Sequence, residues 1–134
     1  MNLLVDTSVW SLFLRRDRPA DVLEVDALIH ALETGDRILC TGLILQELLQ
    51  GFSGPKARQQ IIERFAAFPL LNPAREDHIA AAELRNLCRS RGVQAGTIDA
   101  LLAQLCIRHE LTILTTDLDF EPIAKHTSLQ IWAP

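Results

Sequence analysis

The chain has 134 residues, 49% of them hydrophobic, and a formal net charge of −4 at pH 7. This length and apolar content predict a single domain over residues 1–134 with its own core. The acidic balance argues against a general polyanion-binding surface, and the absence of an apolar run of roughly 18 residues argues against a membrane protein. The cysteines lack C-x-x-C spacing, which favours core packing in a reduced cytoplasmic protein; they are Cys40, Cys88 and Cys106.

Short apolar runs alternate with longer helical stretches along the chain. Strands are predicted over residues 2–6, 37–41, 112–115 and 129–132, and residues 69–73 form a short strand or connector. Helices are predicted over residues 8–14, 20–34, 43–50, 76–91 and 97–109, after the loop at residues 53–55, and near residues 120–125. This alternation predicts an α/β fold whose mostly parallel sheet is covered by helices on both faces. Ligands of such sheets gather outside the carboxyl ends of the strands.

Four acidic residues, far apart in the sequence, adjoin apolar runs. Asp6 and Asp117 each follow a predicted strand, whereas Glu47 and Asp99 lie on apolar helices that can reach the same sheet edge. Carboxylates beside core residues lose hydration, and a divalent cation compensates several of them at once. Because no histidine or cysteine has ligand spacing, the set predicts a hard ion, Mg²⁺ or Mn²⁺, rather than zinc. Asp119 is an additional candidate ligand.

Three of these acids also have a structural explanation that the sequence leaves open. Asp6, Thr7 and Ser8 all favour the N-cap of the predicted helix 8–14, with Thr7 or Ser8 as its cap. Glu47 can belong to a solvated helix face, and Asp99 can stabilise the first turn of its helix. The four acids together, in this order, favour the metal site.

The segments around the four acids resemble the acidic motifs of PIN-domain ribonucleases. The matching segments are LVDTSVW at residues 4–10, QELLQG at 46–51, TIDALLA at 97–103 and LTTDLDF at 114–120. In size the chain is similar to the VapC-type toxins of bacterial toxin–antitoxin pairs. The resemblance implies a three-layer α/β/α fold, a cognate antitoxin that blocks the site, and a homodimer. It also implies an acidic pocket for Mg²⁺ formed by the catalytic residues Asp6, Glu47, Asp99 and Asp117.

The function implied is a Mg²⁺-dependent endoribonuclease that cleaves RNA phosphodiester bonds with a metal-activated water. Hydroxyl groups near the acids are expected to position water or phosphate; they belong to Thr7, Ser8, Thr115 and Thr116, the last standing where the family often has asparagine. Three arginines after the first helix are candidates for holding the RNA backbone, or form a solvated loop; they are Arg15, Arg16 and Arg18. Trp10 is expected in the core, with a groove for an antitoxin helix as the alternative.

Other functions also fit clustered acids on an α/β sheet. A free-standing PIN-type RNA-processing nuclease has the same residues without an antitoxin. An aspartyl-phosphate enzyme uses a nucleophilic aspartate and a nearby lysine or arginine, and the pair Asp117 and Asp119 resembles such a site superficially. However, no lysine follows a strand suitably. A metal-stabilised binding module without turnover is the remaining alternative.

Overall fold

A computed structural model describes residues 1–15 and 21–134. Five strands of this part form one parallel sheet in the order β3-β2-β1-β4-β5, with β1 in the centre. The strands are β1 (Asn2–Val5), β2 (Arg37–Thr41), β3 (Leu70–Leu71), β4 (Thr112–Leu114) and β5 (Gln130–Ile131). Apolar runs of β1, β2 and β4 are buried, as expected for strands covered on both faces.

Helices connect these parallel strands in the described part of the chain. They are α1 (Thr7–Phe13), α2 (Leu23–Thr34), α3 (Gly42–Gly51), α4 (Pro55–Phe65), α5 (Arg75–Ser90), α6 (Thr97–Arg108) and α7 (Phe120–His126). Gly35, in the left-handed conformation at φ 75°, ends α2 where the sequence predicts. None of the described helices is both long and apolar enough to cross a membrane.

Helix starts differ from the predicted ones where side chains outside the apolar pattern decide them. Thr41 ends β2 and caps α3 by accepting a hydrogen bond from the backbone N–H of Ile44 at 3.1 Å, so α3 begins one residue early. At α1 the N-cap position belongs to Asp6, and the prediction that Thr7 or Ser8 caps this helix is wrong.

The core lies between the sheet and the helices. Trp10 is 0% exposed, and its ring centroid lies 4.7 Å from that of Phe65 and 5.6 Å from that of Phe68. Trp10 therefore belongs to the core, as expected, and cannot line an exposed antitoxin groove. The three cysteines are likewise buried and unpaired with one another, in agreement with their predicted packing role.

Candidate metal centre

The site begins where two adjacent strands end. β1 and β4 pair in parallel with Val5 opposite Leu114, so the residues that follow both strands leave the sheet side by side. The backbone N–H of Asp6 extends this pairing by donating to the carbonyl oxygen of Leu114 at 2.9 Å. This register brings the acid of the first motif to the turn that carries the fourth, as the sequence predicts for the carboxyl edge of a parallel sheet.

Asp6 is held by hydroxyl groups from both sides of this junction. Its Oδ2 accepts hydrogen bonds from Ser8 Oγ and Thr115 Oγ1, each at 2.9 Å. These hydroxyls in turn accept from the backbone N–H groups of Thr116 and Asp117, at 3.1 and 2.9 Å. Although Asp6 stands at the N-cap position of α1, its side chain makes no capping bond. The arrangement fixes the carboxylate and leaves Oδ1 without a partner among the described hydrogen bonds.

A cavity of about 530 Å³ opens beside Asp6. Glu47 enters it from α3, where its exposed carboxylate accepts a hydrogen bond from Thr7 Oγ1 at 3.3 Å. The structure thus brings the four predicted acids into one cavity, and the lining residues that the structure describes include no lysine, arginine or histidine. The lining residues are Asp6, Thr7, Ser8, Glu47, Gly96, Thr97, Ile98, Asp99, Leu102 and Asp117.

Three carboxylates approach most closely. One oxygen from each of Asp99, Asp117 and Asp119 lies within 4.8 Å of the other two. Asp6 and Glu47 line the same cavity but do not belong to this group of described residues. Asp119, which the sequence offers as an additional ligand, is thus a member of the tightest cluster. The turn is closed by the backbone N–H of Asp119, which donates to Asp117 Oδ1 at 2.9 Å.

Asp99 experiences the electrostatic effect of this crowding. Its pKa is raised from 3.8 to about 6, first by partial burial and then, in decreasing order of effect, by the charges of Asp117, Asp6, Asp119 and Glu47. The carboxylate is therefore costly to ionise in the protein alone. A divalent cation reverses this cost, and the all-oxygen donor set fits Mg²⁺ or Mn²⁺ rather than a softer ion.

The remaining predicted positions lie around this cluster or outside the described residues. Thr116 supplies its backbone N–H, and the hydroxyls of Ser8 and Thr115 are already engaged with Asp6. Arg15 is exposed just after α1. Arg16 and Arg18 lie outside the described residues.

Four lining residues had no predicted role in the site; they are Gly96, Thr97, Ile98 and Leu102. A Cβ at position 96 would lie 3.7 Å from Asp99 Oδ2, an ordinary contact distance, so the Asp99 carboxylate lies beside Gly96. Ile98, 44% exposed, stands at the rim of the cavity. A glycine just before an acidic helix start is the sequence signal that could have indicated the first of these.

A parallel α/β sheet with clustered carboxylates at its strand ends is the arrangement of a PIN domain, and the chain belongs to the PIN domain family, which matches residues 3–126. Its relatives include VapC ribonuclease Mb1587 of Mycobacterium bovis and ribonuclease VapC11 of Mycobacterium tuberculosis. Each is 32% identical over 130 residues, which cover 96% of this chain and 96% of the relative.

Solved structures give the same fold. VapBC2 from Rickettsia felis, bound to a promoter DNA fragment, superposes with a TM-score of 0.75 at 18% identity, covering 98% of both chains. VapBC-1 from nontypeable Haemophilus influenzae gives a TM-score of 0.74 at 17% identity, covering 98% of this chain and 97% of that one. The comparisons confirm the predicted family, the three-layer α/β/α fold and the predicted enzyme class, a metal-dependent ribonuclease.

Proposed function

We propose that this protein is a Mg²⁺-dependent endoribonuclease and the toxin of a type II toxin–antitoxin pair. The observation that supports it most directly is the single cavity lined by Asp6, Glu47, Asp99 and Asp117, with no basic side chain among the lining residues in the described part of the chain. Carboxylates arranged in this way attract a cation. The relatives named as VapC ribonucleases supply the substrate class, RNA.

Asp99, Asp117 and Asp119 are the residues that would hold the cation, because one carboxylate oxygen from each lies within 4.8 Å of the other two, close enough to share one ion. When bound, Mg²⁺ lowers the pKa of a water ligand and polarises a phosphoryl oxygen. The protein's own part is to keep Asp6 in one orientation, through the two hydroxyls on its Oδ2. Glu47 is exposed in the cavity and accepts a hydrogen bond from Thr7 through Oε1, so its other oxygen would orient water that enters the cavity.

The test uses purified protein, a fluorescent single-stranded RNA and a choice of Mg²⁺, Mn²⁺ or EDTA. We expect cleavage with either ion and none with EDTA, leaving 5′-phosphate and 3′-hydroxyl ends. Asp6→Asn and Asp99→Asn should each lower kcat/KM at least a hundredfold, about 2.7 kcal/mol of lost transition-state stabilisation.

The matched control is Glu83→Gln, which removes an exposed acid of α5 outside the cavity and should cleave like the wild type. Full activity of both aspartate variants would contradict the catalytic assignment. Metal binding without any cleavage would favour the non-catalytic binding module, and a phosphorylated protein would favour the aspartyl-phosphate enzyme.

The proposal includes a cognate antitoxin, a homodimer and action in the cytoplasm. The similar solved structures include VapBC2 and VapBC-1, and a partner that covers the cavity with a cationic side chain would be favoured by its charge. Exposed apolar side chains are available for association between copies; they include Leu70, Ile79, Leu87 and Ile98. Light scattering of the purified protein distinguishes a dimer from a monomer.

A further inference from the structure

The loop that leads into α6 determines the position of the first turn of this helix, which carries Asp99. After α5 the chain turns through Gly92, at φ 80°, and the backbone N–H of Val93 returns to the carbonyl oxygen of Cys88 at 2.8 Å. Ala95 then packs into the core and is 6% exposed. Ala95 is therefore the last residue packed into the core before Gly96 and the helix that carries Asp99.

Arg85 of α5 binds the backbone of Ala95. Its Nε donates a hydrogen bond to the carbonyl oxygen of Ala95 at 2.8 Å, across ten positions of sequence. The Arg85 side chain is partly buried. A charged donor to a carbonyl oxygen in such a position is stronger than a neutral one, and it restrains the peptide that joins Ala95 to Gly96.

Movement at this peptide reaches Asp99 directly. Gly96 occupies the N-cap position of α6 without a side-chain cap, and its carbonyl oxygen accepts from the backbone N–H of Ala100 at 2.9 Å. The Asp99 carboxylate lies against the open face of Gly96, with Oδ2 3.7 Å from the point where a Cβ would stand. The first turn of α6 therefore depends on backbone contacts rather than on a capping side chain.

We propose that Arg85 is a positioning residue of the metal centre: its bond to Ala95 fixes Gly96 and so sets the place of Asp99 relative to Asp117 and Asp119. This inference rests on the proposed function and adds a residue outside the four acidic motifs. Residues that hydrogen-bond a metal ligand directly typically contribute about 10- to 100-fold to affinity or activity. Arg85 does not contact Asp99 itself and acts through the backbone of Ala95 and Gly96, so we expect the lower end of this range.

The test compares Arg85→Met, which keeps a long apolar stem without a donor, with the wild type. Calorimetric titration with Mn²⁺ alone should show about tenfold weaker binding. The amide of Ala100 should exchange with solvent faster, because its acceptor is no longer held. In RNA cleavage, kcat should fall about tenfold while KM stays within about twofold, and Arg85→Lys should recover part of both losses.

Arg89→Met is the matched control. Arg89 lies one turn further along α5, is exposed, and donates to Asn86 Oδ1 rather than to the loop. It should leave Mn²⁺ affinity and Ala100 exchange unchanged. If Arg85→Met does not fold, Arg85→Gln provides the same comparison with a shorter, uncharged side chain and should show the same pattern.

Three results would overturn the proposal. Wild-type Mn²⁺ affinity in a folded Arg85 variant would exclude positioning, and a lower melting temperature with unchanged affinity and kcat would mean a structural role alone. A raised KM at unchanged kcat and affinity would mean contact with RNA, because Arg85 also lines a cavity of about 400 Å³ next to the site. Since Mn²⁺ binding and amide exchange need no RNA, the proposal is tested even if the wild type cleaves none.

Discussion

Two aspartates lie in the first turns of neighbouring helices and have opposite surroundings. Asp77 of α5 is 1% exposed, and its Oδ2 accepts hydrogen bonds from Arg108 and from the backbone N–H of Ala74. Asp99 of α6 has no partner among the described hydrogen bonds, and burial with four surrounding acids raises its pKa to about 6. Among residues 1–15 and 21–134, Asp77 is neutralised by an arginine, whereas Asp99 has no cationic hydrogen-bond partner.

The contrast shows how an acid that stabilises the fold differs from an acid that faces a cavity. Both residues favour their helix through its dipole, and neither is distinctive by sequence position alone. The deeper residue, Asp77, serves to join α5 to the end of α6, because an arginine meets it there. The shallower residue, Asp99, opens onto a cavity whose lining, in the described part of the chain, includes no basic residue. Charge balance, rather than depth of burial, therefore distinguishes the two carboxylates.

The largest expected effect on stability is at Asp77. Asp77→Ala removes the acceptor of both Arg108 and the Ala74 amide and should lower the free energy of unfolding by about 2–3 kcal/mol in a urea titration. Cleavage per folded molecule should stay near the wild-type value. The neighbouring exposed acid gives the control: Glu76→Ala should cost less than about 1 kcal/mol. Equal losses in the two variants would show that the ion pair has no special weight.

A smaller effect is expected where hydroxyls hold Asp6. Thr115→Val keeps the shape of the side chain but removes one donor to Asp6 Oδ2 and the acceptor of the Asp117 amide. Mn²⁺ affinity should fall about tenfold, which corresponds to about 1.4 kcal/mol. Thr127→Val is the control, since this hydroxyl also donates once and accepts once but lies after α7. Unchanged affinity in Thr115→Val would mean that the hydroxyl does not support the metal centre.

The smallest expected effect is a gain of stability when the charge of Asp99 is removed. The pKa of Asp99 is raised from 3.8 to about 6 in the folded, metal-free protein, so folding disfavours its ionised form. The resulting loss of folding stability is complete above about pH 6, shrinks as pH falls through that value, and vanishes below pH 3.8. Asp99→Asn should therefore melt a few degrees higher than the wild type at pH 7.5 in EDTA, and the gain should disappear by about pH 4. A gain independent of pH would point to packing instead of charge.

Much of this architecture was readable from the sequence because it depends on local patterns. The apolar runs predicted β1, β2 and β4 within about a residue, and acids following parallel strands had to meet at one edge. Helix starts were less accurate: the capping role assigned to Thr7 or Ser8 failed because Asp6, committed to its own hydroxyl partners, occupies the N-cap position.

Contacts between distant residues account for what the sequence could not show. Ser8 and Thr115 are 107 positions apart, and no local pattern indicates that both hydroxyls hold one carboxylate. The pairing of Asp77 with Arg108 spans 31 positions and resembles an ordinary polar face on each helix. Arg85 was likewise one of many arginines until its bond to Ala95 was seen. Tertiary partners, rather than residue types, assign these roles.

The central place of β1 in the sheet also bears on biosynthesis. Its two neighbours are β2 and β4, so half of its pairing waits for residues 112–114 to leave the ribosome. A nascent polypeptide that stops short of this strand carries Asp6 without Thr115 or Asp117. Truncated products of translation therefore lack the assembled acidic cavity, however much of the early sheet they have formed.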